Sequence, residues 1–195
     1  MRLKAARNQQ KNPHLRPLMI QLERLQEGLP AISPAFGAFL VEACQVCLAQ
    51  AEHESGVELG VIGDINDQLA LQWEGELTEQ IRNSWLDLGE ATEYGATAMA
   101  ILLVLALTDL TVVGRSVKGT GFDYWLGPAE SSRESERFEE KVRLEISGIL
   151  SGDLKLIERR VKAKLRQTQR SDHLGLPALV IVTEFRKLLS YFAEK

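Results

Sequence analysis

The segment Ala178 to Phe185, A-L-V-I-V-T-E-F behind Pro177, constrains the fold more than any other stretch of the chain. It is apolar and rich in β-branched residues, and too continuous to leave a solvent face, so it reads as an interior strand covered on both sides. Elements to cover it precede it. Leu154 to Arg170 sets Leu154, Ile157, Val161 and Leu165 on one stripe of an amphipathic helix. Lys141 to Ile149 alternates, with Val142, Leu144 and Ile146 pointing one way and Lys141, Arg143, Glu145 and Ser147 the other. A strand, a helix and a buried strand in that order place the chain among α/β proteins.

Upstream, Ala96 to Leu107 is the most apolar stretch and falls short of the roughly 20 residues needed to span a bilayer. It reads as the end of a buried helix from Ala91, with Tyr94, Ala98, Ile101, Leu102 and Leu105 on the sheet. Thr78 is a candidate N-cap, and the helical pattern from there to Leu107 divides into two helices meeting near Gly89. Leu110 to Arg115 and Gly121 to Leu126 form a hairpin around K-G-T-G, residues 118–121. Val57 to Val61 and Leu69 to Trp73 form another. Pro17 to Gly28, with Leu18, Leu22 and Leu25, reads as a short amphipathic helix, and Ala35 to Glu52 as a longer one. The first dozen residues read as polar and loosely ordered, and the polar, charged segment Pro128 to Glu140 as loop or a frayed helix. With 195 residues and 45% hydrophobic content the chain supports one substantial core. It divides into an N-terminal helical extension, residues 1–52, packed on an α/β core, residues 53–195.

A net charge of −4 argues against an overall electrostatic grip on nucleic acid and leaves room for a local basic patch. The densest basic run is Arg159, Arg160, Lys162, Lys164, Arg166 and Arg170, which also fits a solvated helix face. Cys44 and Cys47 form a C-x-x-C pair without a second Cys/His pair at ligand spacing, so they read as core thiols. His14, His53 and His173 are scattered, and Gly119 and Gly121 read as turn glycines. Arg2, Lys4 and Arg7 lead into Asn8, Gln9 and Gln10 instead of an apolar stretch, so the expected location is cytoplasmic with no membrane partner.

From Ala91 onward the order is helix, strand, strand, strand, helix, strand. Acidic residues fall in the second and third of these strands, Asp123 in G-F-D-Y-W-L and Glu145 in R-L-E-I-S-G. Glu90 and Glu93, in E-A-T-E-Y-G-A, share one face of the preceding helix, where solvated charges are the ordinary reading. In this order and in these acids the chain from about Leu77 onward resembles the restriction-endonuclease-like, PD-(D/E)xK nucleases. The resemblance implies an α/β fold with an αβββαβ core and a mixed central sheet, to which N-terminal helices and a β-hairpin are added. It also implies Mg²⁺ or Mn²⁺ held by Asp123, Glu145 and Glu93.

Hard divalent cations take oxygen ligands and keep several waters. Bound there, such an ion lowers the pKa of a water and offsets charge on phosphate oxygens, and a lysine nearby adds stabilisation. Asp123, between Phe122 and Tyr124, is poorly placed for a carboxylate that nothing binds. Glu145 shares a strand face with Arg143, so an ion pair between them is the competing reading.

In the resembled family a lysine stands two residues beyond the strand-three acid, where this chain has Ser147. The replacement is sought in Lys164, which shares a helix face with Arg160 and Gln167, or in Lys118. The expected catalytic set is Asp123, Glu145 and Lys164, and the expected nucleic-acid contacts are Lys118, Arg160 and Gln167. The function this implies is phosphodiester hydrolysis of DNA or RNA, in restriction or another defence against foreign nucleic acid. The alternative is a catalytically inactive nuclease-fold protein that assembles with a protein partner or a second copy. A third reading is a small α/β binding protein unrelated to nucleases.

Overall fold

The computed structural model describes residues 17–128 and 140–195. Its strands are β1 (Leu18–Gln21), β2 (Val57–Gly63), β3 (Asp67–Gln72), β4 (Leu110–Arg115), β5 (Tyr124–Pro128), β6 (Val142–Ile149), β7 (Ala178–Glu184) and β8 (Leu189–Glu194). Its helices are α1 (Pro34–Gln50), α2 (Glu79–Ser84), α3 (Leu88–Leu107) and α4 (Leu154–Gln167), with 3₁₀ turns at Leu22–Glu27 and Thr168–Leu174. The fold is α/β. The strands form a single mixed sheet in the order β1-β3-β2-β8-β7-β6-β5-β4.

Residue chemistry explains where the helices start. Ser33, Thr78, Asp87 and Asp153 each accept a backbone N–H of the first turn with a side-chain oxygen, as N-caps do. The helical pattern from Thr78 therefore breaks at Trp85 to Asp87, not at Gly89, which lies inside α3. The Asp87 carboxylate bonds the Gly89 and Glu90 N–H groups and restarts the helix.

Two layers of helix enclose the sheet. On one face α1 and α3 pack against Leu59, Leu71, Leu144, Ile146, Leu179 and Ile181, forming the main core. On the other, Ile157 and Val161 of α4 meet Val180 and Val182. The alternation of β7 thus feeds two cores, and every residue of Ala178–Glu184 is buried. α1 and α3 approach so closely at Gly95 that a Cβ there would lie 3.1 Å from the Cys47 Sγ. Cys44 and Cys47 are free, buried core thiols. α3 alone among the described helices is long and apolar enough to span a bilayer, but it is the core helix, mostly buried by α1 and the sheet.

Some expectations require correction. Pro17 to Gly28 is not a helix: Leu18–Gln21 pairs in parallel with Leu69–Gln72, and a 3₁₀ turn follows. A strand offered an open sheet edge outweighs a short leucine periodicity. Strand β5 starts at Tyr124 and not at Gly121, whose φ of +86° belongs to a turn. Leu154 at the start of α4 is exposed, and the regular helix stops at Gln167. Within α3, Tyr94 and Leu105 are only half-buried. His14 lies outside the described residues, as do most of the polar segments expected at the start of the chain and after Pro128.

Candidate active site

The site arises where two strands part. β5 and β6 pair antiparallel from Leu126↔Val142 to Tyr124↔Leu144, and there the ladder ends, while β6 runs on to Ile149 against β7. Beyond Leu144 the β5 side of β6 has lost its strand partner. The Asp123 side chain takes the place of that partner: its Oδ2 accepts the Ile146 N–H at 2.8 Å, and its own N–H donates to the Leu144 carbonyl at 2.8 Å. Register places Asp123 opposite Glu145, so the two carboxyl groups come together.

The gap is a cavity of about 760 Å³. Its walls are Thr92, Glu93, Tyr94 and Thr97 of α3, the turn after β4, and Arg160, Lys164 and Gln167 of α4. Two glycines permit this enclosure. A Cβ on Gly148 would lie 2.3 Å from the Thr92 carbonyl oxygen, so α3 can sit against β6 only because that side chain is missing. One on Gly121 would meet the Gln167 carbonyl oxygen at 2.3 Å, so the turn docks on the end of α4 by the same means.

Helical spacing aims α4 at this gap. Arg160, Lys164 and Gln167 stand at i, i+4 and i+7, beside the buried Ile157 and Val161. Lys164 Nζ donates to Glu145 Oε1 at 2.5 Å, and Gln167 Nε2 donates to the same oxygen at 2.8 Å. Arg160 donates to the Ser147 hydroxyl at 2.8 Å and to the Gly148 carbonyl at 3.3 Å. The cation therefore comes from the helix, and Ser147 holds an arginine.

Glu145 is fully buried, and its second oxygen, Oε2, accepts no hydrogen bond. Burial and the Asp123 charge push its pKa up to about 7, against the pull of Lys164. Asp123 is also raised, by burial first, with the Ile146 N–H, Lys164 and Arg115 opposing. Two carboxyl groups so placed repel one another unless a proton or a cation lies between them.

Comparisons with family models, curated proteins and solved structures give no match. The chemistry rests on this geometry alone.

Of the residues expected at the site, Asp123, Glu145, Lys164 and Gln167 meet, and Arg160 lies alongside. Lys118 lines the cavity from the turn. Glu93 lines it from α3, exposed to solvent, but among the described residues no three His, Cys, Asp or Glu side chains gather into a metal-binding group. Glu90 is exposed and not part of the lining. Arg143 does not pair with Glu145. It is buried and donates to Thr168 O, Ser171 Oγ, Leu176 O and the Asp172 carboxylate, tying the segment after α4 to β6.

Arg115 was not foreseen. It lines the cavity from the end of β4 and lowers the Asp123 pKa through its charge. No spacing in β4 marks it, because the β4–β5 ladder shifts register between Val112 and Gly114, just before it, and breaks the alternation.

Proposed function

We propose that the protein is a divergent metal-dependent nuclease that hydrolyses phosphodiester bonds in DNA or RNA, with Asp123, Glu145 and Lys164 as its working groups. The observation that carries this reading is the meeting of two burial-perturbed carboxyl groups with a lysine ammonium, Asp123 and Lys164 lining a cation-rich cavity and Glu145 buried against them. Perturbed titratable groups in a cleft are the physical mark of a chemical site.

The residues fit a divalent cation. The Oε2 of Glu145 is buried without a donor, and the Glu145 and Asp123 carboxyl groups lie side by side, a pair suited to an ion that keeps most of its waters. When bound, Mg²⁺ or Mn²⁺ would supply an acidified water and neutralise charge on a phosphate. The chain's own groups do the rest. The Ile146 N–H fixes one Asp123 oxygen and so aims the other. Lys164 supplies positive charge where negative charge develops, and Gln167 holds the Glu145 carboxylate in register with it. Arg160, fixed by Ser147 and Gly148, is placed to receive a flanking phosphate.

One observation favours the alternative of an inactive nuclease-fold subunit. Lys164 and Gln167 already occupy one Glu145 oxygen, Oε1, and among the described residues no third acidic ligand joins the pair.

Cleavage assays separate the two. With Mg²⁺ or Mn²⁺, wild-type protein is expected to cut DNA or RNA oligonucleotides. Asp123→Asn and Lys164→Ala are expected to lose cleavage while keeping the wild-type circular dichroism spectrum. Absence of cleavage of every substrate form with either metal would leave the interaction-subunit reading standing.

A further inference from the structure

The cavity continues into an unusual stretch of surface. Tyr94, on its wall, meets Phe39 edge-on with ring centroids 4.8 Å apart, and Phe39 lies 4.7 Å from Trp85 and 6.0 Å from Phe36. Arg115, on the same wall, sits over the Phe36 ring at 5.5 Å. Tyr94 and Arg115 thus belong both to the cavity and to the aromatic cluster, and the two surfaces are continuous. Phe39 is 37% exposed and Leu86 beside the buried Trp85 is 80% exposed, so part of this aromatic cluster is open to solvent at α1 and the α2–α3 junction. Around the cavity stand Arg115, Lys118, Arg160, Lys164 and Arg170, an excess of cations in a chain whose net charge is −4.

We propose that the substrate is single-stranded nucleic acid, its bases resting on the Phe39 and Tyr94 rings while its backbone runs past Arg115 into the cavity. The inference rests on the nuclease reading and narrows it. Asp123 and Lys164 line a cavity of about 760 Å³, the size of a small-molecule pocket, ~300–1,000 Å³. A stiff duplex cannot bring a phosphate into such a recess, whereas a single strand can extend and splay its bases. Cationic grooves interleaved with aromatic rings are how proteins hold unpaired strands, because every base has a stacking face. The cation over Phe36 is suited to a phosphate between a stacked base and the reacting bond.

The test is fluorescence anisotropy without divalent metal, so that binding is read independently of cleavage. The probes are dye-labelled oligothymidylate, oligouridylate and a hairpin-closed DNA duplex. At least one single strand is expected to bind more tightly than the duplex. Phe39→Ala is expected to weaken single-strand binding about tenfold. Phe39→Leu, which keeps an apolar side chain and removes the ring, is expected to weaken it similarly, and binding is compared well below the Tm measured for each variant, so a folding defect is not mistaken for lost stacking. Arg166→Ala, on an exposed residue outside the cavity lining, serves as the surface-charge control and should cost little. Duplex binding as tight as single-strand binding, or Phe39→Leu without effect, overturns the proposal. Metal-dependent cutting of duplex that ignores Phe39→Leu would leave the nuclease reading intact while this one falls. Phe39-dependent single-strand binding with no cleavage would do the reverse.

Discussion

Replacing Glu145 with glutamine is expected to flatten the dependence of stability on pH between about 4.5 and 7. In the unfolded chain this carboxyl titrates near its ordinary value of 4.5; in the folded protein burial and the Asp123 charge raise it to about 7. Between those values the folded state holds a proton that the unfolded state has released, so stability is greatest below 4.5 and falls as pH rises to 7. At about 1.4 kcal/mol for each tenfold change in the ionisation constant, the loss across the window comes to ~3 kcal/mol. That is a large share of a domain's usual ~5–15 kcal/mol.

The other groups facing Glu145 are Asp123, Lys164 and Gln167. Asp123 is raised as well and adds a loss of the same sign. Asp172, lowered by Lys195 and Arg143, acts oppositely in acid but lies elsewhere and is unchanged by the substitution. Urea denaturation of wild type and Glu145→Gln at intervals from pH 4.5 to 8, without divalent metal, measures the difference. Wild type should lose ~3 kcal/mol more than the variant across the window. Parallel curves for the two proteins would refute the reasoning. A divalent cation competes with the proton for the same oxygens, so Mg²⁺ should stabilise wild type more at pH 8 than at pH 5.

Gly148→Ala should destabilise the fold by ~2 kcal/mol or more, because the new methyl group meets the Thr92 carbonyl oxygen at 2.3 Å and pushes α3 off β6; thermal denaturation checks it. Cys44 and Cys47 should resist a thiol reagent until denaturant is added, since burial drives the Cys44 pKa well above its ordinary value and that of Cys47 to about 12; labelling kinetics under native and denaturing conditions decide it.

The sequence displayed the site more clearly than the sheet. Asp123 and Glu145 were visible as acids on either side of a polar segment, although Asp123 lies just before β5 and not in it, and α4 announced Lys164 by its spacing from Ile157 and Val161. Strand β8 was missed because L-S-Y-F-A-E shows no clean alternation. Ser190 is buried there only because its hydroxyl meets that of Thr183 at 2.8 Å, a pairing no single strand reveals. Arg143, Glu145 and Ser147 read as the polar side of β6, yet all three are buried, since α4 and the following turn supply partners for polar groups. Polar alternation marks a solvent face only when nothing polar covers it.

The place of β8 has a consequence for how the protein comes into being. It joins β2 in parallel on one side and β7 antiparallel on the other, welding the half-sheet β1-β3-β2 to the half that carries the site. Both halves precede β8 in the chain. On the ribosome, therefore, each waits with an open edge until β8 has been synthesised, and contacts between distant parts of the chain close last and slowly. Two unpaired edges held open during synthesis are templates for pairing with the wrong strand. Nascent chains stalled before Leu189 should depend on chaperones far more than released ones.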